Sequence, residues 1–386
     1  MKRLALAPHR LYFFLGALAV LFLFAWWSFS LTVSNASLMQ AANSIPLHAI
    51  VMPLGIFPLF ILGFTFTAGP RWLAVNASDR YFLITGIAYF SGIVLVITGA
   101  SLAPIMESIG FGMMLCAWLS ATWRWAALLG ESTITEKQHP TVLLGAMIGG
   151  ALALSAALAW TLGWSEAWMV ARQLTFFCFL LPIFLTVCHR MLPFFTGGVL
   201  KPYLVWRPFW LLWFWLSACT TVAVAGVFSW HLLEACAASA MALSFLYTSW
   251  RWGLQSSFQN RLLAMLHMSF AWLAVFFALH AATAFGYRLG SASMHALGLG
   301  FMATMLVAFV TRVSYGHSGR PLLAGNGIWA IYLCLHLAAM LRVLASILVS
   351  PMLITASAIV WLVLVACWVA IILPIYLKPR VDGQAG

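Results

Sequence analysis

Along the chain, apolar stretches alternate with short polar breaks, and each stretch is about 20 residues long, the length a helix needs to cross a ~30 Å hydrocarbon core. Twelve such runs stand near 11–33, 47–69, 81–103, 109–129, 141–162, 171–194, 208–229, 235–256, 263–284, 292–314, 325–349 and 353–377. The connections leave no room for a sizeable extramembrane domain. The expected architecture is therefore all-α: one polytopic membrane bundle of twelve transmembrane helices over residues 1–386. Composition agrees. Of the 386 residues 64% are apolar and 7% charged, and the mean hydropathy is +1.02, which excludes soluble enzymes and nucleic-acid binders.

The net charge of +12 would suggest a polyanionic partner in a soluble protein, but here the position of each cation matters first. Lys2, Arg3 and Arg10 precede the first run, which carries Trp26 and Trp27 and has no small-residue cleavage site before Ser34, so an anchored helix is expected. The even-numbered breaks hold Arg71, Arg80, Lys137, Lys201, Arg207, Arg261 and Arg320, and the tail holds Lys378 and Arg380. The odd-numbered breaks hold Arg288 beside Glu107, Glu166 and Glu234. Positive-inside asymmetry thus places both termini in the cytoplasm.

Trp123-Arg124-Trp125 ends the fourth run and Trp250-Arg251-Trp252 the eighth, with the arginines 127 residues apart; the same step leads from Arg251 to Lys378 at the end of the twelfth. Arg71, Arg190 and Arg312 end runs 2, 6 and 10. Two readings stand: three pseudo-symmetric four-helix units, or convergent use of Trp and Arg as interface anchors. The seven cysteines all fall within runs with no C-x-x-C pair and read as packing residues.

A polar ionisable group at membrane depth is costly and therefore a candidate functional residue. All seven acids lie in breaks, at run edges or in the tail, which argues against a carboxylate proton relay or cation transporter. Six of the ten histidines lie in runs: His48, His189, His267, His280, His295 and His336; His9 and His139 read as loop residues. By depth, His48, His280 and His295 form an outer layer, His189 and His267 an inner one, and His336 stands near the middle of its run. All six are candidate metal ligands, because imidazoles gathered without acids suit haem or copper better than a hard cation. Met52 lies one turn from His48 and could add a thioether. Gly298 and Gly300 after His295 leave room for a flat macrocycle. The lone-histidine alternative is a hydrogen-bonded structural residue.

These residues carry a resemblance. His48-Ala-Ile-Val-Met52-Pro-Leu-Gly55 with Gly63-Phe-Thr-Phe-Thr-Ala68-Gly-Pro70-Arg71-Trp72, then Arg190-Met-Leu-Pro-Phe-Phe-Thr196, and above all His295 to Met305 running through Thr311-Arg312-Val-Ser-Tyr-Gly-His317-Ser-Gly-Arg320-Pro321-Leu322, resemble the NnrS family of bacterial membrane proteins. The resemblance implies a haem- and copper-containing protein of the bacterial inner membrane linked to nitric oxide metabolism and nitrosative-stress resistance. One departure stands in the second run, where Ile50 and Val51 replace the family's second His and its Glu; His280 from another helix is the candidate substitute imidazole. The architecture also resembles heme-copper oxidases, with a bis-histidine haem between helices 2 and 10, here His48 and His295.

On that analogy haem b is expected, since no C-x-x-C-H is present for covalent attachment, with Arg288 and Arg342 as the candidate propionate partners and copper as a second metal. The expected partners are nitric oxide or another neutral diatomic, membrane lipid and an electron donor that the residues do not identify; no nucleic acid is expected. A haem-dependent oxidoreductase that consumes nitric oxide is one reading. A membrane transporter and a non-catalytic nitric-oxide-response or assembly protein are the alternatives.

Overall fold

The computed structural model describes residues 3–33, 38–76 and 80–384, with side chains at 33 and 38–44 left aside; Lys2, Ser34 and Asp79 lie outside it. The described residues form helices and no strand. Twelve helices are long and apolar enough to span a membrane: α1 (Pro8–Thr32), α2 (Ile45–Leu73), α3 (Tyr81–Leu102), α4 (Pro104–Glu131), α5 (Gln138–Thr161), α6 (Ala167–Val199), α7 (Phe209–Val227), α8 (His231–Arg251), α9 (Arg261–Ala284), α10 (Ala292–His317), α11 (Asn326–Ile347) and α12 (Pro351–Leu377).

The helices gather into two compact units, residues 1–183 with 369–386 and residues 184–368, so the divisions fall inside α6 and α12 and not after every fourth helix. In the first unit the most buried span is α2, with 89% of its membrane window enclosed, and in the second it is α10, with 78%. The helices bearing His48 and His295 are thus the two most enclosed of the twelve spans. Each unit also carries one copy of two features. In Trp123-Arg124-Trp125 and Trp250-Arg251-Trp252 the first indole is exposed and the last fully buried. The buried Trp125 donates to the Pro140 carbonyl at 3.1 Å and Trp252 to the Trp206 carbonyl at 2.8 Å. A wide π-helical stretch interrupts α6 at Leu174–Leu180 and α10 at Ala296–Ala303. Both features recur at a four-helix offset.

Four prolines lie within α2, among them Pro58, whose missing N–H orphans the carbonyl four residues back. The hydroxyl of Tyr89 on α3 supplies the missing proton, donating to the Leu54 oxygen at 2.7 Å. A proline is tolerated in an apolar helix because a neighbour satisfies the backbone group it frees. Arg10, in the first turn of α1, donates to the carbonyls of Tyr376 and Lys378 at 3.1 and 3.0 Å. A cation thus caps the carbonyl end of α12, and the start of α1 meets the end of α12.

Three expectations change. The helical hydrogen-bond ladder outlasts the apolar runs: α6 and α10, expected to close by residues 194 and 314, continue to Val199 and His317. Arg312 is consequently buried, its guanidinium 4.2 Å from the Phe195 ring centroid. His9 and His139 are not loop residues: they lie in the first turns of α1 and α5, and both are buried, His139 completely. Polar helix starts packed against neighbouring spans look like loops to a hydropathy window.

Close approach of α3 and α4 rests on paired glycines. A Cβ on Gly92 would stand 2.7 Å from the Gly110 carbonyl oxygen, and one on Gly110 would stand 2.6 Å from that of Gly92. Helices in lipid gain association energy chiefly from such packing, so small residues mark their contacts. Gly110→Ala should lower stability by about 1–3 kcal/mol through overpacking, whereas Gly112→Ala, which meets open space, should be neutral or stabilising. Thermal unfolding of both variants in detergent checks this: the first should melt well below the second.

Candidate functional site

The six membrane-depth histidines divide between the units. His48 belongs to the first, and the other five to the second. What each ring can do follows from which nitrogen its neighbours leave bare, since a neutral imidazole has one N–H and one lone pair.

His295 lies at the first turn of α10, and its Nδ1 is 2.8 Å from the Ser291 carbonyl one turn earlier. A carbonyl only accepts, so Nδ1 carries the proton and Nε2 presents its lone pair. This is the arrangement that a backbone carbonyl imposes on metal-binding histidines. The surroundings suit a large flat ligand. The π-helical stretch begins at the next residue, Ala296, and π-turns inside α-helices often mark functional sites. A Cβ on Gly298 would meet nothing within 4 Å.

Arg342 of α11 lies within electrostatic reach of the His295 ring. Its Nη1 donates to Ser346 Oγ at 2.5 Å, and Ser346 Oγ stands 3.2 Å from Ser291 Oγ. Serine bonds therefore hold the arginine beside the imidazole. Arg288 is exposed in the connection between α9 and α10.

His267 of α9 is completely buried. Its Nε2 is 2.9 Å from Thr196 Oγ1, and that hydroxyl donates its only proton to the Leu192 carbonyl at 2.8 Å. Nε2 is therefore the donor, and Nδ1, which has no hydrogen-bond partner among the described residues, keeps a bare lone pair. His336 of α11 has the same tautomer, but its Nδ1 lone pair is already engaged. The Trp272 indole can only donate, and it does so to His336 Nδ1 at 2.8 Å, which leaves the proton on Nε2.

His189 and His280 each commit Nε2. The first bonds the Pro208 carbonyl at 3.1 Å, tying α6 to the start of α7. The second bonds Glu234 of α8 at 2.9 Å, and Glu234 also stands 3.8 Å from the exposed His231. In the first unit, His48 stacks on Trp27 with ring centroids 3.7 Å apart. Met52 is half-buried one turn on, while Ile50 and Val51 are fully buried.

The profile of one protein family, described as NnrS protein, matches residues 3–380. The chain belongs to the NnrS family. No curated protein matches the chain. In this NnrS member the stretch from His48 lies on α2 and that from His295 on α10, the two most enclosed of the twelve spans, and the stretch from Arg190 lies on α6. Among the described residues no group of three or more His, Cys, Asp or Glu stands close enough to hold a metal ion. The seven cysteines are all free thiols, only Cys188 and Cys219 being buried.

Several residues that shape the candidate site carried no signal by themselves. Ser291 is legible as the residue one turn before His295, and Thr196 closes a family block, but Trp272 and Glu234 reach their histidines across 64 and 46 residues.

Gly300 of the π-helical stretch packs directly on the Trp272 ring. Gly300→Ala should therefore push Trp272 off His336 and lower stability by about 1–3 kcal/mol, while Gly298→Ala should leave stability unchanged. Calorimetric melting of the two variants in the same detergent distinguishes them; equal melting temperatures would remove the packing role of Gly300.

Proposed function

We propose that this NnrS protein is a multi-pass protein of the bacterial inner membrane that holds a b-type haem through His295 and acts there on nitric oxide or another neutral diatomic. The observation that carries the reading is the His295 ring, whose Nδ1–H···O=C bond to Ser291 turns a bare Nε2 outward beside Arg342. A haem fits these residues: an axial nitrogen, a guanidinium for a propionate, and an open glycine face at Gly298. His48 of α2, with Met52 on the same face, is retained as a candidate ligand within the first unit. Arg288 is retained as a second propionate partner. Bound haem would supply the redox or ligand-binding chemistry, while the chain sets the axial ligands, the dielectric and the access.

The apolar helices suit the substrate class. A neutral diatomic dissolves in lipid and needs no charged channel. Copper fares differently, because no preassembled three-ligand group supports it among the described residues, and no step is assigned to it. His267, with one nitrogen held by Thr196 and the other bare, is the residue most suited to a second metal.

The absorption spectrum of the purified protein from haem-replete cells tests the reading. A Soret band and a b-type haemochrome are expected, with His295→Ala losing haem or changing its spin state. His231→Ala, whose side chain is 68% exposed, should match wild type. A colourless wild-type preparation would sink the proposal and leave the transporter and assembly readings.

Proton behaviour offers a second check. Glu107 and Glu234 sit in the first turns of α4 and α8, and Glu131 ends α4, so no described acid lies deep in a span. Reconstituted vesicles should show no net proton ejection during turnover with nitric oxide; outward ejection would contradict the reading.

A further inference from the structure

A groove of about 550 Å³ opens between α9 and α11, lined by Met268, Trp272, Val275, His336, Met340 and Leu344 among others. The named neighbours of His336 in this lining are apolar or aromatic, and none is charged. His336 itself is only 5% exposed. Its Nε2 has no hydrogen-bond partner among the described residues, and the Trp272 bond to Nδ1 makes that nitrogen a donor. The ring is held in place: Tyr332 meets it edge-on with centroids 4.6 Å apart. The Tyr332 hydroxyl is in turn fixed by Ser269 and the Met265 carbonyl. An enclosed N–H without an acceptor thus lies on a ring that lines an apolar groove.

Chemistry narrows the occupant. A metal ion would need a lone pair where His336 carries a proton. Water needs two to four polar partners to stay in a buried site, and this lining supplies one. A charged ligand would be costly at this depth. His336 stands at the middle of α11, about 15 Å from either end at 1.5 Å per residue, so a phospholipid lying in the groove would present its acyl tail there. Its ester oxygens would remain at the interface. The ligand must instead bring an acceptor oxygen inside an otherwise apolar body, and must itself dissolve in the bilayer core.

We propose that the α9–α11 groove binds a neutral, lipid-soluble dione of the quinone class, with one carbonyl accepting a hydrogen bond from His336 Nε2 and the alkyl or isoprenoid tail running along the apolar wall. Trp272 is the shared wall. One side of the indole orients His336, and the ring also packs on Gly300 of α10, five residues from His295. The groove is thus contiguous with the helix of the candidate haem ligand, although the binding rests on α9, α11 and the connection before α9 and needs no haem.

The test is calorimetric titration of the full-length protein, in nanodiscs of defined phospholipid, with decylubiquinone and with decylbenzene, which has the same tail and no carbonyl. Saturable binding of decylubiquinone is expected, with much weaker binding of decylbenzene. His336→Phe keeps an aromatic ring, removes the donor, and should weaken decylubiquinone about tenfold, a difference of ~1.4 kcal/mol. Val275→Trp, at a 42% exposed position on the groove wall, should abolish binding, and an azido-quinone should label α9, α11 or the connection before α9 in the wild type. The proposal is overturned if the wild type shows no saturable binding, if decylbenzene binds as tightly, or if folded His336→Phe binds unchanged. Should His336→Phe not fold, Val275→Trp and the labelled peptides decide: retained binding or labelling elsewhere overturns it. A colourless protein that still binds decylubiquinone defeats the haem reading and leaves this one standing.

Discussion

The interior of a bilayer offers no water, so every polar group there must find its partner within the protein, and the rest of this structure follows from that constraint. It explains why the spans are helices, which satisfy their own backbone. It also explains how α2 tolerates proline, since the Tyr89 hydroxyl answers the Leu54 carbonyl that Pro58 orphans. The buried indoles obey the same rule. Trp118, Trp125 and Trp252 each donate to a backbone carbonyl of a neighbouring segment, so the aromatic residues that fill the cores also register one helix against the next.

The same constraint gives the histidines their chemistry. In water an imidazole exchanges its proton freely, and both tautomers interconvert. Within a span, the first donor or acceptor that packing supplies selects the tautomer. Ser291 and Thr196 each take an N–H and leave a lone pair on the far nitrogen of His295 and His267. Trp272 gives an N–H and leaves His336 a donor. His189 and His280 spend their Nε2 on Pro208 and Glu234 as struts between helices. Five rings that look alike along the chain thus have three different capacities.

The apolar pair Ile50 and Val51 follows the same logic. Both side chains are fully buried in α2, where an imidazole and a carboxylate would each require a partner. An apolar pair needs none. Ile50 and Val51 therefore leave no polar group at their positions to be satisfied, and His48 beside them stacks against Trp27.

Number, length and order of the spans were legible from the sequence, because hydropathy is summed over consecutive residues and the bilayer sets the length. So were the family, carried on contiguous blocks, and the special standing of His295, since its partner Ser291 lies one helical turn away. Helix ends were less legible: His9 and His139 are polar residues that the helical ladder encloses, and hydropathy treats a polar residue as an end. What only the tertiary structure decided is which ring nitrogen each histidine presents and where the groove beside His336 lies. Trp272 stands 64 residues from His336, and Thr196 stands 71 from His267. A tautomer is chosen by the neighbour that helix packing brings into contact, and no local pattern along the chain contains that neighbour.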